Sequence, residues 1–307
     1  MLCVFIKVIP KLSVTLIRLN AGVARLLSSA RPERRHTGQL IACSGSHGFV
    51  GTRLTQILES KGFKVIPIPR DYLSHVISLW SFFEEAQPDY IFHLAAFGNM
   101  AHQTDDQEIF TANVIATFNM LKASLDIPYK AFINVSSSSA GLPIQTMYSA
   151  TKIIGENLVQ GFVDVYDKPI LSVRPFSVYG PGEADFRFIP TVIRSILLGS
   201  ELPLDPHPVH DWIYVDDLVS EMMMYMYTAK ITKGKIWEIG TGNQYTNGQV
   251  VGILEDIAGK KANIKLLKKP IRSFDNQSWR AEIGMLKARS LYEGLKLTYE
   301  YYKKVYL

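Results

Sequence analysis

The chain has 307 residues, 47% of them apolar and 20% charged, with a mean hydropathy of +0.07. This excludes a disordered chain, which needs low hydrophobicity and high charge, and two cysteines, Cys3 and Cys43, exclude a disulfide scaffold. The net charge of +5 first suggests nucleic acid or an anionic membrane, but residues 1–37 carry +6, residues 38–258 carry −9 and residues 259–307 carry +8.

The excess therefore belongs to the two ends, and no nucleic-acid partner is expected. A basic C-terminal part facing an acidic remainder suits a small anion held between two lobes. Residues 1–37 are apolar and Arg-bearing, with Glu33 as their one acid. Lys7, Lys11 and Arg18 interrupt every apolar run, so nothing approaches the roughly 20 residues of a membrane span. The segment is expected to be a leader or extension, disordered or loosely helical. An organellar transit peptide and a surface-binding helix are the alternatives. The expected compartment is the cytoplasm, or an organelle if the leader is a transit peptide.

The body begins with an apolar strand, Gln39 to Cys43, which runs into Gly45-Ser46-His47-Gly48-Phe49-Val50-Gly51. Helical spacing follows from Thr52 to Lys61 and stops at Gly62. A second strand covers Val65 to Ile68, and residues 74–87 read as a helix. Tyr90 to His93 continues into Leu94-Ala95-Ala96 as a buried strand. Residues 107–125 form a helix with Phe110, Val114, Phe118 and Leu121 on one face. Ala131 to Val135 is a strand ending in four serines, Tyr148 to Val165 a helix, and Ile170 to Arg174 a strand. Strands alternating with helices indicate βαβ units and a parallel sheet, hence an α/β fold of the doubly wound, Rossmann type. The dinucleotide-binding domain is placed at 38–175. Beyond Pro175 the pattern is less regular, and 176–307 is expected to form a smaller substrate lobe, with some segments returning to the main sheet.

Gly45, Gly48 and Gly51 follow a strand and open a helix, the context in which a glycine-rich turn receives a pyrophosphate at a helix N-terminus. Tyr148 and Lys152 lie four apart, on one helical face. A tyrosine with a pKa of about 10 is a weak base at neutral pH, and a lysine charge beside it lowers that value. A serine at the preceding strand end can hold a substrate oxygen. The competing reading, a packed Tyr148 and a solvated Lys152, loses to the order of these features along the chain.

The glycine spacing followed by His93-Leu94-Ala95-Ala96 resembles the extended short-chain dehydrogenase/reductase family, in its nucleotide-sugar epimerase/dehydratase branch. Asn113 to Leu121 is similar to the family's N-V-x-G-T-x-N-x-L helix, Tyr148 to Lys152 to Y-x-x-x-K, and Arg174 to Gly182 to R-P-F-N-V-Y-G-P-G. Asp211 to Asp217 is similar to D-F-I-Y-V-D-D, Glu238 to Gly242 to N-x-G-x-G, and Arg272 to Asp275 to R-x-x-D. The resemblance covers residues 39 to about 300.

It implies an enzyme, an NAD(P)-dependent epimerase or keto-sugar reductase acting on a nucleotide-linked sugar, and a homodimer through the helices at 107–125 and 148–165. Tyr148 and Lys152 become the catalytic pair, with Ser138, third in the serine run, orienting the oxygen and Ser137 as the substitute. The cofactor would be held by Gly45, His47, Gly48, Phe49, Val50, Gly51, Arg70, Asp71, Leu94, Ala95, Ala96, Asn113, Tyr148, Lys152 and Pro175. NAD and NADP both remain open. Pro69 stands where an acid would accept from the NAD ribose and Arg70 follows it, so the reading leans to NADP, with Asp71 available to the adenine.

Three departures from the family pattern bear on substrate. The loop from Ser138 to Tyr148 is shorter than the family's. His210 replaces a diphosphate-gripping arginine, leaving Arg272 as the other, and Ser177 replaces an asparagine. Arg187 is the candidate to compensate. Ser139 stands where sugar dehydratases carry an acid, which argues against dehydration. A catalytically idle dinucleotide-binding or sensor protein is the alternative, and a sugar-nucleotide dehydratase the further one. His93 reads as structural, His207 and His210 lack metal-ligand spacing, and Cys43 reads as a small buried apolar residue. No metal is expected.

Overall fold

Three of the apolar runs, β1 (Leu40–Ser44), β3 (Tyr90–His93) and β4 (Ala131–Val135), form the middle of a six-stranded parallel sheet. The computed structural model describes residues 39–100, 102–143, 146–268, 278–282 and 287–307. The leader expected at 1–37 and Arg272 lie outside them. The sheet is completed by β2 (Lys64–Pro67), β5 (Ile170–Pro175) and β10 (Ile236–Ile239), in the order β10-β5-β4-β3-β1-β2. A parallel sheet must be covered on both faces, which is why its strands read as unbroken apolar runs rather than alternating ones.

Alternation reappears in where each side chain points. Ile41, Cys43, Phe92, Ile133 and Leu171 pack against α1 (Phe49–Ser60) and α7 (Val215–Thr232). Ala42, Ile91, Phe132 and Ile170 face α2 (Val76–Ala86), α4 (Ala116–Ala123) and α5 (Met147–Tyr166). Met222 and Met223 are buried in the first of these cores.

Two stretches differ from the sequence reading. Pro67 and Pro69 cannot donate to a ladder, and after β2 the chain makes a 3-10 turn, Arg70–Ser74, before α2. The helix expected at 107–125 is α3 (Asp106–Phe110), a π turn at Thr111–Ile115, and then α4. Asn113 lies in the π turn, where its amide bonds the Phe97 backbone and Thr151. π turns concentrate at functional sites.

The segment beyond Pro175 is more regular than its sequence suggests. It holds β6 (Ser177–Tyr179), α6 (Phe188–Leu198), β7 (Glu201–Leu204), β8 (Val209–His210), β9 (Trp212–Tyr214), β11 (Tyr245–Thr246), α8 (Asn247–Ala258), β12 (Asn263–Leu266) and α9 (Leu291–Tyr306) besides α7 and β10. Tyr179, Ile193, Trp212, Val250, Leu254, Leu295 and Tyr299 form its own core. Among the described residues no helix is long and apolar enough to cross a membrane.

Candidate active site

The strand order reverses between β1 and β3, which opens a crevice at their C-terminal ends, the usual ligand position in doubly wound sheets. The glycine turn and the 94–98 segment line it. Gly45 has φ +72°, and a Cβ there would lie 2.7 Å from the Ala95 nitrogen. A Cβ on Gly51 would lie 2.1 Å from the Gly45 oxygen, so the turn closes only with glycine at 51. Gly48 is extended and opens α1; no side chain caps that helix and its first turn holds no acid. Its first N–H groups are therefore open to an anion. Gly45, Gly48, Phe49, Val50, Gly51 and the Leu94–Ala96 backbone fit a dinucleotide pyrophosphate, and His47, bonded to Ser46 at 3.2 Å, stands exposed beside them. A bound nicotinamide dinucleotide would supply the hydride acceptor and donor that alcohol–ketone chemistry requires.

The lean towards NADP rested on Arg70, which the structure places in an exposed ion pair. The guanidinium donates to Glu108 Oε1 at 3.1 Å, well out in solvent. Asp71 is exposed in the same 3-10 turn.

Behind the crevice lies a buried polar chain whose protons can be placed. Thr117 Oγ1 donates to Asn113 O at 2.6 Å, so towards His93 Nε2, 3.1 Å away, it accepts. His93 Nδ1 therefore accepts from Ser44 Oγ, at 2.6 Å, and Ser44 Oγ accepts from Ala95 N. Burial and the Lys152 charge lower the His93 pKa to about 3, so it stays neutral and structural. Asn113 was expected to touch cofactor. Its amide hydrogens go to Phe97 O and Thr151 Oγ1, so it holds the crevice wall against α5 instead. Cys43, fully buried, has its thiol pushed up to about 12 by desolvation.

Tyr148 and Lys152 occupy the first turns of α5, which starts with a reciprocal cap between Thr146 and Ser149. Lys152 is 4% exposed and donates to Val135 O at 2.7 Å. Desolvation lowers it to about 8, against the opposing charge of Glu156. Tyr148 is half-buried. Desolvation raises its pKa, while a hydrogen bond with the Ser137 side chain and the charge of Arg187 act the other way. The cation opposing that rise is thus Arg187 rather than the expected Lys152, whose ammonium is turned to a strand carbonyl.

The serine expectation moves by one residue. Ser138 is 5% exposed, inside the 3-10 turn Ser138–Gly141 that follows the strand at once. With so short a loop, Ser137 is the serine at the Tyr148 hydroxyl. Beneath it, Glu156 accepts from Ser136 Oγ at 2.6 Å and from Arg174 at 2.8 and 2.7 Å, tying α5 to β5. Pro175 ends β5, buried.

On the substrate side, Ser177 Oγ and His210 Nδ1 meet at 3.2 Å. His210 is 7% exposed between the rings of Trp212 and Trp279, at 5.1 and 5.6 Å. The ring expected to grip a phosphate thus stands in an aromatic slot, bonded to Ser177, rather than at an open surface. Arg187 heads α6 and acts on both Tyr148 and Glu183. Glu183 was missed because nothing in its spacing signals burial. Desolvation raises its carboxyl to about 8, and Oε2 has no hydrogen-bond partner among the described residues. Asp211, fully buried, accepts from Thr241 N and Oγ1, both at 2.7 Å, Gly242 N at 2.8 Å and Ala281 N at 3.1 Å. It thereby fixes two segments lining an open cavity of about 580 Å³ that also takes in Ser278, Arg280 and Glu282. Among the described residues no side-chain cluster could hold a metal ion.

A family model described as the NAD dependent epimerase/dehydratase family matches residues 41–240. The UDP-glucuronate 4-epimerase 5 of Arabidopsis thaliana is 25% identical over 344 residues, covering 91% of this chain and 78% of that protein. The dTDP-glucose 4,6-dehydratase of Haemophilus influenzae is 24% identical, covering 72% and 78%. The UDP-glucuronic acid 4-epimerase of Bacillus cereus, solved with UDP-glucuronic acid and NAD, matches with a TM-score of 0.75 at 24% identity, over 87% of this chain and all of that one. The last likeness shows the fold. The family match, over well more than half the chain, shows more: this protein belongs to the NAD-dependent epimerase/dehydratase family.

Proposed function

We propose that the chain interconverts an alcohol and a ketone on a nucleotide-linked sugar, as an epimerase or keto-sugar reductase, with NAD as its cofactor. The observation that carries this reading is the pairing of Tyr148 with Ser137 beside the Arg187 charge, one helical turn from the buried Lys152. Tyr148 moves the proton of the reacting hydroxyl and Ser137 orients its oxygen. Lys152 keeps a positive charge at the base of the site below about pH 8. Arg187 adds a charge that no accessible pH removes. NAD is favoured over NADP by the family match and by the NAD bound in the similar Bacillus cereus epimerase.

Dehydration would need an acidic side chain at position 139 to protonate the leaving hydroxyl, and a serine stands there. The catalytically idle reading draws on one observation, the burial of His210 where a phosphate-holding arginine was expected. We also propose a homodimer through the 106–123 and 147–166 helices, which leave Phe110, Ile115, Phe118 and Ile154 exposed. The test is mass spectrometry of whatever dinucleotide and ligand the purified protein retains, followed by turnover of a nucleotide-sugar panel. Retained NAD with no turnover of any sugar would favour the idle reading.

A further inference from the structure

The loop that leads into Arg187 is tied down from the far end of the chain. It starts with Gly180 and Gly182 at φ +150° and +85°, a backbone conformation that favours glycine. Tyr302, 2% exposed in α9, donates its hydroxyl to Glu183 O. One helical turn on, Tyr306 donates to Asp185 Oδ1 at 2.9 Å. A carbonyl oxygen and a carboxylate only accept, so both phenols are the donors. The two rings stack on each other at 5.5 Å and 26°. α9 is itself anchored: Ser290 and Glu293 cap its start reciprocally, and Leu291, Leu295 and Tyr299 lie in the core of the substrate lobe. A fixed helix thus grips the loop at 183 and 185, and Thr191 Oγ1 holds Arg187 O at 2.7 Å from the α6 side.

We propose that Tyr302 and Tyr306 are positioning residues, a strap that fixes the 180–187 loop so that the Arg187 guanidinium is held at the active site beside Tyr148. The inference deepens the functional reading above and rests on Tyr148 as the residue that moves the proton. Arg187 faces two groups, the Tyr148 phenol and the buried Glu183 carboxyl. A cation beside a phenol favours its ionised form. Lys152, on the helix of Tyr148 itself, is turned to Val135 O, so the loop supplies the charge that its own helix does not. A Coulomb interaction weakens with distance, and an arginine side chain loses much rotamer freedom when it is held in place. Fixing the backbone at its base lowers that cost. Freed from the strap, the loop would carry the charge away, and Tyr148 would release its proton less readily. Both hydroxyls are spent on the loop and not on the crevice, so their removal should reach Tyr148 through Arg187 and leave the dinucleotide side alone.

The test places difluorotyrosine at position 148 of the full chain, where its more acidic phenol titrates closer to neutrality, and follows its ¹⁹F resonance with pH. Tyr302→Phe and Tyr306→Phe each remove one hydroxyl and keep the ring. With both in place the midpoint should rise by about 0.5 pH unit or more. Asp185→Ala, which cuts the strap from the exposed loop, should move it the same way, and Tyr301→Phe, 40% exposed on α9, should leave it in place. Arg187→Gln should raise the midpoint at least as far. Adding Tyr302→Phe and Tyr306→Phe to Arg187→Gln should then move it no further, within about 0.2 unit, because the strap acts through that charge. An unmoved midpoint in the double tyrosine variant would overturn the proposal, as would a rise that persists in full once Arg187 is gone. Should the double variant not fold, Asp185→Ala decides by the same criteria. The titration needs no substrate, so a chain that turns over no nucleotide-sugar would sink the functional reading while the midpoints still decide the strap.

Discussion

The cofactor side and the substrate side of the crevice are built on opposite rules. Behind the glycine turn, Ser44, His93, Thr117, Asn113 and Thr151 engage one another and the backbone, and their proton positions follow. Across the crevice Glu183 keeps an oxygen with no partner among the described residues, Arg187 acts on two groups at once, and Tyr148 keeps its proton beside the Ser137 hydroxyl. A closed polar network fixes geometry, because each unsatisfied buried group costs about 1–3 kcal/mol. Open valences are what a ligand can use.

If that contrast is correct, substitutions on the two sides should fail differently. The largest effect is expected from Gly51→Ala. Its Cβ would meet the Gly45 oxygen, and backbone cannot give way as a flexible side chain does. Loss of about 3 kcal/mol or more is expected, with dinucleotide affinity lost as well, by urea denaturation and fluorescence titration. A variant that binds cofactor normally would break the account of the turn.

Asp211→Asn should come next. An amide cannot accept all four hydrogen bonds and turns an NH₂ on backbone donors, so a cost of about 2–3 kcal/mol is expected. Sugar-nucleotide KM should rise while dinucleotide affinity holds, because only the 241–242 and 281 segments lose their tether. Equal damage to both affinities would mean that the two sides are not separable.

The smallest effect sharpens the contrast through pH. Glu183 has its pKa raised by burial to about 8 from an ordinary 4.5. The unfolded chain releases that proton near pH 4.5, so in between the folded state binds more protons. The stability this contributes is complete below about pH 4.5 and is lost as pH rises to about 8. Glu183→Gln removes that slope and should gain about 1–2 kcal/mol over the wild type at pH 8 relative to pH 5. Parallel pH profiles would show that the carboxyl is not held neutral.

The same division decides how much could be read from sequence. The β1 turn, the HLAA segment and the Tyr148–Lys152 helix are local patterns, and local geometry ties residue type to position there. The strand at 131–135 is legible down to its ends. What escaped depends on burial and distant contacts. His210 lies between two tryptophans, one of which, Trp279, is 69 positions away in the sequence. The π turn at Thr111–Ile115 follows from a bond to Phe97, and the choice of Ser137 over Ser138 follows from where a short loop begins to coil.

The central claim is that Tyr148 moves the proton, and single-turnover kinetics of Tyr148→Phe test it most directly. Using the nucleotide-sugar that wild type turns over, the variant should lose at least about 100-fold in rate and retain its dinucleotide. Turnover unchanged within about twofold, with dinucleotide still bound, would contradict the account.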